Sequence, residues 1–166
     1  MGESTVIVTG ASSGIGLAIA ERFASLGDHV ISVARRRCPV DIVHSVHMDL
    51  SRPDAVPALM IELAKLLPKQ PGVVHLIHNA AGLPHDSALA VDAGVLERTL
   101  RLNVVTPAQL NAALIPHMTK GSSIIFVGST LSQKGVPQRL SYVTGKHAML
   151  GLMRATVQDL WGRGIN

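Results

Sequence analysis

Apolar positions along this 166-residue chain follow two alternating patterns. Short continuous runs rich in β-branched residues occur at 5–8, 29–33, 43–48, 73–77 and 124–127. Runs of this kind predict buried strands, with the one at 43–48 the weakest. Between them the apolar residues recur with helical spacing. Ile15, Ile19, Phe23 and Leu26 mark a first helix, with Gly27 as its stop; Val56, Leu59, Met60, Leu63 and Leu67 mark a second, closed by Pro68. A third runs from a cap at Asp92 through Val95, Thr99, Leu102, Thr106, Leu110 and Leu114, with Pro107 expected to kink it. The last carries Tyr142, Lys146, Met149, Leu150, Met153, Val157 and Leu160 and reaches Trp161. Strand alternating with helix predicts an α/β domain: one doubly wound parallel sheet over residues 1–166 with right-handed crossovers. Only residues 34–42 are available to join the second and third strands, so the helix usual at that crossover should be shrunken or missing.

Composition narrows the picture. Apolar residues make up 47% and charged residues 16%, which suits a packed core and not a disordered chain. There is no run of about 18 apolar residues, so a membrane-spanning helix is not expected. The start of the chain lacks the charged and apolar regions of a signal peptide, and a single cysteine, Cys38, cannot form an internal disulfide; the expected setting is reducing and cytoplasmic. The net charge is +4, but the basic residues are scattered apart from Arg35-Arg36-Arg37. With one Trp, one Tyr and two Phe there is no base-stacking platform, so a nucleic-acid partner is not expected. No His-Glu-x-x-His occurs among the eight histidines, and no metal is expected. His44/His47 and His75/His78 lie three apart in predicted strands and should point to opposite faces.

Two stretches carry candidate chemistry. The first strand runs into Thr9-Gly10-Ala11-Ser12-Ser13-Gly14-Ile15-Gly16 and then a helix. Strand, glycine-rich turn and helix N-terminus together make an anion site: free backbone N–H groups and the helix dipole point at a phosphate, and glycines let it come close. The second stretch follows the fifth strand. Ser129 ends that strand, a loop with Gly135 and Pro137 follows, and Tyr142 and Lys146 lie one helical turn apart. A free phenol titrates near roughly 10. A cation beside it favours the phenolate and makes a better proton donor and acceptor near neutral pH. Between these stretches, the second strand ends not in an acidic residue, which would bind a ribose 2′-hydroxyl, but in Arg35 and Arg36, whose guanidinium forks suit a 2′-phosphate.

The glycine turn in its Thr-Gly-x-x-x-Gly-x-Gly form, with Ser129, Tyr142 and Lys146 in that order and spacing, resembles the short-chain dehydrogenase/reductase family of classical type. The resemblance implies strand order 3-2-1-4-5 and assigns further residues. Gly10, Ser12, Ser13, Gly14, Ile15 and Gly16 would bind the cofactor pyrophosphate. Asp49 and Leu50 would lie against the adenine, although Asp49 or Ser51 also has the chemistry of a helix cap. The family motif Asn-Asn-Ala-Gly is only partly present, as His78-Asn79-Ala80-Ala81, so Asn79 and Ala80 alone are carried over. Asn103 matches the family's helix asparagine, which serves proton relay. The resemblance spans the whole chain but only the N-terminal two-thirds of the usual fold, without strands 6 and 7.

The resulting expectation is an oxidoreductase that prefers NADP to NAD and acts on a carbonyl/alcohol pair. Ser129, Tyr142, Lys146 and Asn103 are its catalytic set, and a dimer or tetramer would form through the helices carrying Asn103 and Tyr142. The other reading is a non-catalytic NADP-binding or interaction protein, or an inactive fragment of a longer reductase.

Overall fold

The structure, a computed structural model, describes residues 4–166. Five strands, β1 (Thr5–Thr9), β2 (His29–Ala34), β3 (His44–His47), β4 (Val74–His78) and β5 (Ser123–Phe126), form one parallel sheet in the order β3-β2-β1-β4-β5. The helices are α1 (Gly14–Ser25), α2 (Ala55–Leu66), α3 (Ala93–Leu100), α4 (Thr106–Leu114) and α5 (Leu140–Asp159). No helix links β2 to β3, as the short crossover predicted.

Alternate residues of the strands feed two cores, one on each face of the sheet. Ile7, Ile31 and Leu76 meet Leu59 and Leu63 of α2 and Leu110 and Leu114 of α4. Val6, Val8, Val30 and Ile77 meet Ala20 and Ala24 of α1. The histidines obey the same alternation. His75 stacks on Phe23 of α1, while His78 bonds to Asn111 of α4.

Three expectations change. In α1 the buried stripe is Gly16, Ala20 and Ala24, while Ile15 and Leu26 are exposed. Small residues let the helix lie close to the sheet, and the large apolar ones are left at its flanks. The predicted kink at Pro107 is instead a π-helical turn, Arg101–Val105, between α3 and α4. Pro107 sits in the first turn of α4, where its missing N–H costs little. β5 is not buried on both faces: Ile125 is 44% exposed, because β5 is the last strand in the sheet order. Beside it the backbone of Asn166 donates to Ser122 and accepts from Ile124.

Candidate active site

Both predicted stretches lie at the carboxyl ends of the strands, where open parallel sheets place their ligand crevice. The turn after β1 is held from the next strand. Thr9 Oγ1 donates to the Ile77 carbonyl and accepts the N–H groups of Asn79 and Ala80 at 2.9 and 3.0 Å. The Asn79 amide donates back to the carbonyls of Thr9 and Gly10 at 3.0 and 3.2 Å. Asn79 therefore ties the end of β4 to the turn. Gly10 adopts φ +74, a conformation open mainly to glycine. A Cβ on Gly16 would fall 2.4 Å from Asn79 Nδ2 and 2.5 Å from the Gly10 carbonyl oxygen. The turn closes on itself only because residue 16 has no side chain.

This turn forms one wall of a cleft of about 370 Å³. Gly10, Ser12, Ser13 and Ile15 line it from the first turn, and Arg35, Arg36, Asp49 and Leu50 from the ends of β2 and β3. Asn79 and Ala80 close the third side. Gly14 and Gly16 shape the turn without contributing wall. Arg36 Nη2 reaches Ser13 Oγ at 3.4 Å, which sets its guanidinium over the glycine turn. Asp49 does not cap α2. Its carboxylate accepts the Ser51 hydroxyl at 2.7 Å and the Ser51 N–H at 3.0 Å, and these bonds hold its pKa below the usual carboxylate value. A dinucleotide suits this donor set: free N–H groups at a helix N-terminus, a cradle that a Cβ would fill, and two guanidinium groups. Met48, Ala81, Gly82 and Leu102 also line the cleft, and sequence reasoning did not single them out for it. They carry no distinctive chemistry, so only their place in space reveals them.

The other predicted residues gather beyond the cleft, around α5. Lys146 is buried at 3% exposure. Its ammonium donates to the Val127 carbonyl at 2.8 Å and lies over the Tyr142 ring, 5.9 Å from the centroid. Burial lowers its pKa from the usual lysine value, since desolvation disfavours the charged form. Ser129 opens a short 3₁₀ turn, Thr130–Ser132, that packs on α5. Its Oγ accepts the Leu131 N–H at 3.1 Å, while Ser132 Oγ accepts the Ser129 N–H at 3.1 Å. Because that contact uses a lone pair, the Ser129 proton is left for another oxygen.

Asn103 sits inside the π-helical turn, 2% exposed, and its amide donates to the Thr99 carbonyl at 2.9 Å. Its Oδ1 has no protein partner among the described residues. α5 reaches this turn through Gly145, where a Cβ would lie 3.3 Å from Thr99 Cγ2 and 3.4 Å from Asn103 Nδ2. Gly145 is another residue the sequence did not flag, although a glycine inside a helix is itself a signal of close approach. His78 is one more. It occupies a motif position as a buried neutral imidazole, Nε2 bonded to Asn111 Oδ1 at 2.8 Å and the ring against Phe126. Burial pushes its pKa down to about 4.

With this geometry in view, the comparisons decide the family. A family model described as short chain dehydrogenase matches residues 4–166. The chain belongs to the short chain dehydrogenase family. Among its relatives is the human dehydrogenase/reductase SDR family member 4, 30% identical over 179 residues, covering 99% of this chain and 63% of the relative. The chain spans 56–63% of the length of this and similar curated relatives. Among solved structures, a 4-hydroxyisoleucine dehydrogenase complexed with NADH superposes with TM-score 0.86 at 24% identity, covering 99% of this chain and 72% of its own; at that identity it speaks for the fold alone. A Beutenbergia cavernae protein described as an NAD(P)-dependent gluconate 5-dehydrogenase, with NADP bound at low occupancy, is 28% identical with TM-score 0.83 (98% of this chain, 69% of that one). In this family the Rossmann-type sheet and the cleft described above are the expected frame for a nicotinamide dinucleotide.

Proposed function

We propose that the protein is an oxidoreductase that transfers a hydride between NADP and a small carbonyl or alcohol substrate. The observation that carries this reading is the Lys146 ammonium over the Tyr142 ring, in a chain whose glycine turn walls a dinucleotide-shaped cleft. The bound cofactor supplies the hydride. The rest falls to the chain's own side chains. Ser129 orients the substrate oxygen with its available hydroxyl proton. Tyr142 gives that oxygen a proton in reduction and takes one in oxidation. Lys146 stabilises the charge that Tyr142 acquires and would hold the nicotinamide ribose when the cofactor is bound, and Asn103, through the π-helical turn, supports resupply of the proton. Arg35 and Arg36, which face the cleft, favour a 2′-phosphate over a bare ribose hydroxyl. Two copies would associate through the helical segment that carries Asn103 and through α5, which carries Tyr142.

The deciding assay is NADPH oxidation against a panel of ketones, cyclohexanone and acetophenone among them, with Tyr142→Phe as the comparison. Turnover in the parent that collapses in the variant supports the assignment; equal rates discard it.

A second reading is favoured by a different observation. An apolar groove of about 520 Å³ opens beside β5, lined by Ile124, Phe126, Met153, Val157 and Trp161 among others, with Trp161 82% exposed. A sheet edge that is paired at Ile124 but flanked by such an apolar groove suits a nucleotide-binding protein that docks further polypeptide there. Calorimetric titration with NADPH separates the two readings: binding without turnover selects this one.

A further inference from the structure

The segment between β4 and α3 is fastened to the start of α5 at one residue. Asp86 is only 9% exposed although it carries a carboxylate. Its Oδ1 and Oδ2 accept the Ser141 N–H at 3.1 and 3.2 Å, and Oδ2 also accepts the Ser141 hydroxyl in a short contact. Its backbone pairs as well: the Asp86 N–H donates to the Gln138 carbonyl and the Leu140 N–H donates to the Asp86 carbonyl, each at 3.3 Å. The first N–H groups of a helix have no intrahelical acceptor. α5 has no side-chain cap of its own at Arg139, so Asp86 provides one from 55 residues earlier in the chain. The approach to α5 is also a constrained one, because Gln138 is the non-glycine residue with positive φ among the described residues, at 59°.

Tyr142 is the residue after Ser141 and the third of α5, within the turn that frays first when uncapped. Lys146 lies a full turn further in and is anchored to the Val127 carbonyl. The position of the phenol relative to that fixed ammonium therefore depends on what holds the first turn. We propose that Asp86 is a positioning residue for Tyr142, setting the phenol against Lys146 and Ser129 by capping α5 through Ser141. This deepens, and rests on, the reading of Tyr142 as proton donor.

The test compares Asp86→Ala, Asp86→Asn and Arg139→Ala with the parent chain. Arg139→Ala removes a neighbouring fastening of the same loop, the 3.2 Å bond from Arg139 Nη1 to the Pro84 carbonyl, and leaves the Asp86–Ser141 bonds alone. Two readouts are needed: NADPH-dependent reduction of the ketone panel, and NMR of the tyrosine ring. Tyr142 is the one tyrosine in the sequence, so its ring signals need no assignment. Asp86→Ala should lower kcat roughly 10- to 100-fold, the cost of a small misplacement, leave the KM for NADPH unchanged, and shift the ring signals. Asp86→Asn keeps an acceptor for the Ser141 N–H and should restore most of both. Arg139→Ala should change neither. The proposal is overturned if Asp86→Ala leaves the ring signals at their parent positions, or if Arg139→Ala reproduces its effects, which would make Asp86 a mere loop fastening. Should circular dichroism show Asp86→Ala unfolded, Asp86→Glu decides: it keeps the charge but is one methylene too long, and parent-like signals with parent-like kcat would overturn the claim. If the parent reduces no ketone, the proposed function fails, and the ring signals alone decide the role of Asp86.

Discussion

The glycine turn after β1 and the proposed catalytic corner on α5 are built by opposite means. In the turn the backbone does the work. Gly10 and Gly16 remove side chains so that Asn79 can lock the loop from β4, and the remaining N–H groups are aimed by chain geometry alone. At the corner the side chains do the work, and each is held from a distance: Lys146 by a carbonyl at the end of β5, Ser129 by its own 3₁₀ turn, and the start of α5 by Asp86. A site whose shape is the shape of its backbone tolerates little added bulk. A site assembled from separate elements tolerates bulk better but depends on every element being docked. The two kinds of damage should therefore separate in experiment.

The largest effect expected is on the corner alone. Tyr142→Phe should cut ketone reduction by about 10²- to 10⁴-fold, the usual worth of a positioned general acid, while the NADPH dissociation constant measured by fluorescence stays at the parent value. A matching loss of binding would mean the two regions are not separable.

The next effect concerns the sheet that joins them. His78 is buried and its value in the folded protein is pushed from 6.5 to about 4, so the folded state holds it neutral where the unfolded chain would protonate it. This contribution is fully present above about pH 6.5 and is lost as the pH falls toward 4. The gap corresponds to about 3 kcal/mol. Urea denaturation at pH 7, 5.5 and 4.5 should show stability falling through that window, and His78→Asn should flatten the dependence. An unchanged slope in the variant would assign the fall to other groups.

Glycine substitutions then set the regions directly against each other. Gly16→Ala drives a Cβ onto a backbone carbonyl that cannot retreat and should cost about 1–3 kcal/mol by overpacking, with NADPH binding weakened at least tenfold. Gly145→Ala meets Thr99 and Asn103 at 3.3–3.5 Å, distances that shifts of a few tenths of an ångström relieve. It should cost under about 1 kcal/mol, spare NADPH binding and lower kcat. Thermal denaturation and cofactor titration of both variants check the contrast, and a reversed order would refute it. A separate effect, on cofactor choice, lies at the arginine end of the cleft. Arg36→Ala removes one of the two guanidinium forks that line the cleft and, on the proposed reading, should lower the ratio of NADPH-linked to NADH-linked kcat/KM by about tenfold.

Much of this was legible because the signals are local. Short β-branched runs separated by helical periods imply a parallel sheet wherever they occur, and the glycine turn and the Tyr142–Lys146 pair each lie within a few residues of chain. The misreadings arose where spacing on one helix had to stand for packing against another element. Ile15 and Leu26 have the right period in α1, yet the sheet accepts only the small face of Gly16, Ala20 and Ala24. Pro107 reads as a kink, yet the irregularity lies in the π-helical turn ahead of it. Asp86 lies in a segment with no periodicity and nothing in its neighbours marks it.

The amino-acid sequence by itself determined the alternation of strand and helix, the glycine turn and the one-turn spacing of Tyr142 and Lys146, because each is encoded by neighbours in the chain. Tertiary structure alone decided which of them work together. The capping of α5 from Asp86, the anchoring of Lys146 to Val127 and the closure of the turn by Asn79 join residues 55, 19 and about 70 positions apart. Contacts across such separations depend on how whole elements dock, and no local pattern records that.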